Sequence, residues 1–200
     1  HHQRLAPIQP RGYISLGDLS LRRGQIEQAL ELYAQGMAVD QGQQDARLAQ
    51  IQVYLRLGRL EEAAEAIALA FETPSSDELP FQAEHTAPDQ ALESETASLW
   101  VALGDLFRLQ ADWPSAEAAY QQAIHTAPGL PAPYLSLGEA YQVQGKYAEA
   151  RAQYVQIIAL TPGNAEGSIA LGELSAIQGD YAAAEQAFLL AAAASPGEVQ

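Results

Sequence analysis

The sequence predicts an all-α fold of stacked helical hairpins, on three observations. Leu-Gly pairs recur 34 residues apart at Leu103-Gly104, Leu137-Gly138 and Leu171-Gly172, and Leu16-Gly17 opens the series. A fixed period of this length marks an array of like units rather than one globular core. Around each glycine the apolar residues fall at helical spacing. The hydrophobic share is 48%, rich in Ala and Leu, against 18% charged residues, which supplies enough apolar surface for helices to bury against one another.

Residues 131–164 set the pattern. Tyr134, Leu137, Gly138 and Tyr141 lie at i, i+3, i+4 and i+7, one face of a helix. Gly145 ends that run, as a glycine at a helix C-terminus does. Tyr147, Ala150, Tyr154 and Ile157 share one side of a second helix, which Pro162, Gly163 and Asn164 close.

The other segments follow in chain order. Residues 1–9 are an N-terminal tail in which His1 and His2 read as a tag remnant. Residues 10–43 form a first repeat with Tyr13, Leu16, Gly17, Gly24, Ala29 and Tyr33, without a closing proline. Residues 44–77 form a degenerate second repeat. It keeps Tyr54, Gly58, Leu60, Ala63, Ile67 and Ala70, but Gln50-Ile51 stands where Leu-Gly belongs. Residues 97–130 form the third, with Trp100, Leu103, Gly104, Phe107, Trp113, Ala116, Tyr120, Ala123 and Pro128. Residues 131–164 are the fourth. Residues 165–198 are the fifth, with Leu171, Gly172, Gly179, Tyr181, Ala184, Phe188, Ala191 and Pro196, and with Ser168 and Ser175 in place of larger side chains.

These residues resemble the tetratricopeptide repeat, with its bulky residue, Leu-Gly and aromatic on a first helix, its small–aromatic–small series on a second, and its closing proline. The resemblance implies a right-handed α-solenoid of about five helix-turn-helix repeats. Small residues let paired helices approach to roughly 8–10 Å. A single hairpin cannot bury its own apolar face, so stability comes from its neighbours.

The beat breaks once, at residues 78–96, an insertion that carries Glu78, Glu84, Asp89, Glu93 and Glu95 and no Lys or Arg. Thr73-Pro74-Ser75-Ser76-Asp77 leads into it as a loop. Its second half reads as helix from near Pro88, a residue suited to a first helical turn. Leu79 and Phe81 are candidate anchors of a docking loop.

Charge and motif exclude several function classes. The net charge of −15 with a single lysine, Lys146, speaks against nucleic acid. No apolar run is long enough to span a membrane. The chain has no cysteine and so no disulfide framework. No Walker or GxGxxG spacing exists. His85 and His125 lack a second histidine three or four residues away, and Glu61-Glu62-Glu65 reads as a solvated helix face. No catalytic residue, cofactor or metal ligand is expected, and the chain is not expected to be an enzyme. The compartment is left open, with a soluble cytoplasmic protein the working expectation.

In the resembled family the first helices line a groove that holds peptide segments. Carried onto this sequence, the apolar row is Ile14, Leu48, Val101, Leu135 and Ile169, each followed by a small residue. One turn on come Asp18, Gln52, Asp105, Glu139 and Glu173, with Arg22, Arg56 and Arg108 nearby. An apolar floor with an acidic wall suits a protein or peptide partner that is basic or amphipathic. The family's co-chaperone clamp for a C-terminal carboxylate uses Lys and Asn. Ile14, Asp18, Ala49 and Gln52 stand at its positions, so that clamp is absent. At the far end Phe188 and Leu189 are candidates for self-association, which would give a homo-oligomer through the C-terminal repeat. The expected function is a non-catalytic scaffold: an adaptor, assembly factor or chaperone-like protein. The alternatives are a docking or regulatory domain of a larger enzyme and an oligomerisation module.

Overall fold

The computed structural model describes residues 10–39, 44–72 and 88–194. These residues form ten α-helices: α1 (Pro10–Arg22), α2 (Ile26–Val39), α3 (Gln44–Arg56), α4 (Leu60–Glu72), α5 (Pro88–Leu109), α6 (Trp113–Thr126), α7 (Pro131–Val143), α8 (Tyr147–Leu160), α9 (Glu166–Ile177) and α10 (Tyr181–Ala194). The described residues contain no strand. The fold is an all-α helical repeat of the solenoid class. Leu79 and Phe81, with the loop expected around them, lie outside the described residues.

The helices gather into two compact units, one ending at Glu95 and the other beginning at Thr96, so the division falls within α5. In the first unit α1 pairs with α2 and α3 with α4, and α2 packs on α3. In the second, α7 pairs with α8 and α9 with α10, while α6 packs on α7 and α8 on α9.

One contact builds each hairpin. A ring on the second helix lies against the glycine of the first: Tyr33 on Gly17, Tyr120 on Gly104, Tyr154 on Gly138 and Phe188 on Gly172. A Cβ added at Gly172 would come within 2.7 Å of the Phe188 ring, well inside van der Waals contact, so only glycine admits the ring. In the degenerate repeat Ile51 and Ile67 stand at the two corresponding positions, and both are buried. Two aliphatic chains there replace the ring-and-glycine pair. Ala29, Ala63, Ala116, Ala150 and Ala184 recur at one position of the second helices and are buried throughout.

The turn inside each hairpin is equally regular. Gly24, Gly58, Gly145 and Gly179 hold φ between 67° and 78°, and Ala111 holds 58° at the same place. The amide of the following residue donates back across the turn at 2.9 Å, as from Lys146 N to Tyr141 O and from Asp112 N to Phe107 O. This is the Schellman closure of a helix, which needs a left-handed residue. Asp112 and Asp180 then start the next helix by accepting from Ser115 N and Ala183 N, capping it at the N-terminus.

The ring hydroxyls reach beyond the core. Tyr33 donates to Asp18 at 2.7 Å and Tyr120 to Asp105 at 2.8 Å. Burial, above all, together with the neighbouring carboxylate, pushes both phenols above their ordinary value. Burial likewise raises Tyr154 to about 12. Between hairpins, Tyr141 donates to Glu117 at 2.6 Å, and Arg151 to Gln178 at 3.5 Å.

Three measurements check this account. Gly138→Ala would ordinarily favour a helix, yet here its methyl meets the buried Tyr154 ring. We expect a loss of about 2 kcal/mol in denaturant unfolding, because overpacking outweighs propensity. Ala111→Gly should do the reverse and raise stability by roughly 0.5–1 kcal/mol, since an L-residue is disfavoured at positive φ. For the tyrosines, the unfolded phenol ionises near pH 10 while the folded one stays protonated. The unfolded state therefore binds fewer protons above that pH, and stability falls as pH rises. The thermal midpoint should be flat up to about pH 9 and drop steeply beyond pH 10, and Tyr120→Phe should make that drop shallower.

Candidate partner-binding groove

Nine of the thirteen side chains expected along the groove line two cavities, one in each unit. In the first, Asp18, Arg22, Gln52 and Arg56 surround a space of about 280 Å³ with Leu21, Tyr33, Ala49 and Val53. Ile14 is half-buried against Ala29, Tyr33 and Val53, and Leu48 is half-buried; neither lines this cavity. The Asp18 carboxylate is engaged by Tyr33.

The second unit holds the larger space, about 660 Å³, lined by Arg108, Leu135, Glu139, Gln142, Val143, Tyr154, Asn164, Ala165, Glu166, Ile169, Ala170 and Glu173. It brings Leu135, Glu139, Ile169 and Glu173 together with Arg108. Val101 is half-buried against the core clusters and does not line this cavity. Asp105 accepts from Tyr120 and from Arg108 Nε at 3.4 Å, so its charge is committed inside the wall.

Each part of this cavity has a local cause. The φ-positive turn at Gly145 ends α7 just beyond Gln142 and Val143. Asn164 Oδ1 accepts from Glu166 N at 2.9 Å and so fixes the start of α9, which presents Glu166, Ile169 and Glu173 on successive turns. Leu135 rests on the core cluster of Tyr120, Leu137 and Tyr141, so the apolar floor is continuous with the core. Tyr154 turns its hydroxyl to Gln142 Oε1 at 3.1 Å rather than to Glu139.

That last detail sets the electrostatics. Glu139 has neither a tyrosine hydroxyl nor an ion pair among the described residues. Desolvation, chiefly, raises its carboxyl above the ordinary range; Asp105, Glu173 and Glu166 add to the rise and Arg108 opposes it. Arg108, expected near the acidic row, lines this cavity. Sequence reasoning did not single out Val143 or Glu166. The signal for Val143 was present: Arg22 and Arg56 occupy the corresponding place in the first unit, two residues before the turn glycine. An exposed valine there makes the second cavity more apolar.

Phe188 and Leu189 on α10 are exposed. No helix among the described residues is long and apolar enough to cross a membrane, and none of their His, Asp and Glu side chains form a group of three or more suited to a metal ion.

Comparison with known proteins places this architecture. One tetratricopeptide repeat model matches residues 14–77 and 135–199, and a second matches residues 99–132. No curated protein matches by sequence. Among solved structures, the chain is similar to a thermophilic TPR protein of Thermus thermophilus, at 21% identity and a TM-score of 0.67 over 94% of this chain and 93% of that one. It is similar to MamA from Desulfovibrio magneticus RS-1, at 15% identity and a TM-score of 0.59, covering 96% of this chain and 97% of that one. It also resembles YrrB, a TPR protein with an unusual peptide-binding site, at 18% identity and a TM-score of 0.52 over 94% and 87% of the two chains. At such identities the likeness concerns the fold. With family models matching in register over most of its length, the chain belongs to the tetratricopeptide repeat family.

Proposed function

We propose that this protein is a non-catalytic scaffold whose second unit holds a basic, amphipathic segment of a protein partner in the groove between α7 and α9. Tetratricopeptide repeats are in general protein-interaction modules, and that much follows from the family. The observation that carries the finer reading is the composition of the 660 Å³ cavity. Leu135, Val143, Ile169 and Ala170 offer an apolar floor, while Glu139, Glu166 and Glu173 stand around it against the single cation of Arg108. Apolar anchors of a partner would leave water on that floor, and Lys or Arg beside them would meet carboxylates that have no ion pair among the described residues. Charge complementarity of this kind supplies orientation and speed of encounter as well as affinity.

The test uses a labelled amphipathic peptide of Lys and Leu and its Glu and Leu counterpart, read by fluorescence anisotropy. The wild-type chain should bind the basic probe and ignore the acidic one. Glu139→Lys with Glu173→Lys should weaken the basic probe at least about tenfold, with the helical circular dichroism unchanged. Equal affinity of wild type and double variant would overturn the acidic-groove reading.

A further inference from the structure

The contact that joins one hairpin to the next has two halves, and among the described residues a matching half of each kind stands exposed, one on α10 and the other on α1. Inside the second unit, the side of α8 that meets α9 carries Tyr147, Arg151 and Ile158. Tyr147 is half-buried on the core, a Cβ at Gly167 would lie 3.0 Å from Ile158, and Arg151 reaches Gln178. Thirty-four residues later α10 repeats that side as Tyr181, Glu185 and Ala192, and Tyr181 is 74% exposed.

The receiving side of α9 is Gly167, Leu171 and Gln178, where Gln178 immediately precedes the left-handed Gly179. The first hairpin presents Gly12, Leu16 and Arg23 at the same repeat positions, and Arg23 immediately precedes the left-handed Gly24. Leu16 is 41% exposed, whereas Leu137, its equivalent within the second unit, is 3% exposed.

We propose that two copies of this chain stack head to tail, the α10 face of one seated on the α1 face of the next, as one hairpin seats on another within the chain. Charge selects this pairing. The Arg151–Gln178 contact of the interior becomes Glu185 of one copy against Arg23 of the other, and neither of these residues has an ion pair of its own among the described residues. Gly12 opposite Ala192 permits the close approach that Gly167 makes at Ile158. Leu189 takes no part in this face: its counterpart Val155 is also exposed within the second unit. The interface is heterologous, so each copy keeps one free face of each kind and association runs on in series or closes as a ring.

Sedimentation equilibrium of the full chain tests this. The weight-average mass should climb above 21.4 kDa as concentration rises from micromolar to millimolar. Arg23→Glu and Glu185→Arg alter exposed side chains, so each variant should keep its helicity. Each alone places like charges in the joint and should weaken association at least about tenfold. Mixed in equal amounts, the two variants pair Glu185 with Arg23 and the new Arg with the new Glu, and association should return. A mass of 21.4 kDa at every concentration overturns the proposal. Single variants that associate like the wild type overturn it equally, as does a mixture that stays monomeric.

Discussion

The contact between an aromatic ring and a glycine one helix away is the constraint on which the rest depends. Tyr33 on Gly17, Tyr120 on Gly104, Tyr154 on Gly138 and Phe188 on Gly172 set how closely two helices of a hairpin approach. That separation fixes where the next hairpin can seat and which side chains line the groove. The degenerate repeat shows that volume is what matters there. Ile51 and Ile67 fill the position with two branched aliphatic chains, and burial is kept although neither member of the original pair is. Deleting only one member of such a pair would leave either a void or a clash, and both are costly in a close-packed interior.

The same rings decide the charge of the groove. A tyrosine hydroxyl at the end of the ring reaches the carboxylate one residue after the glycine when that residue is an aspartate, as at Asp18 and Asp105. These charges then serve the wall. In the next two repeats the acidic residue is a glutamate. Tyr154 bonds to Gln142 instead, and Phe188 has no hydroxyl to give. Glu139 and Glu173 consequently stay available at the 660 Å³ cavity. A partly desolvated carboxylate without a partner is unfavourable for the free protein, and a cation brought by a partner would relieve it. The same hydrogen bond is thus made in some repeats and withheld in others.

Repetition also has a consequence at its edges. An interface that works between neighbours within one chain has, at each terminal hairpin, a half with the same shape and apolar character. On α1 and α10 of the described residues, Leu16 and Tyr181 are apolar or aromatic and exposed at those places, and the charged residues beside them have opposite sign.

Spacing alone was enough to determine the helical class, the paired helices, the turn glycines and the family, because each of these is a local or periodic property. Tyr-to-Gly packing was implicit in the 34-residue beat. Which acidic side chains remain free was not legible. Asp105 and Glu139 occupy the same repeat position and carry the same charge, yet one is tied to Tyr120 and the other is not. One methylene of side-chain length and the direction of a hydroxyl decide that, and the hydroxyl's direction leaves no mark in the order of residues. Nor did the sequence show that Arg108 lines one cavity with Glu139 and Glu173 while Val101 does not, since both depend on how far each helix is turned about its axis by its neighbours. The sequence by itself determined the repeated unit. The tertiary structure decided which members of that unit face inward, which are engaged by a neighbour and which stand without an ion pair among the described residues, because those outcomes rest on contacts between helices rather than on order along the chain.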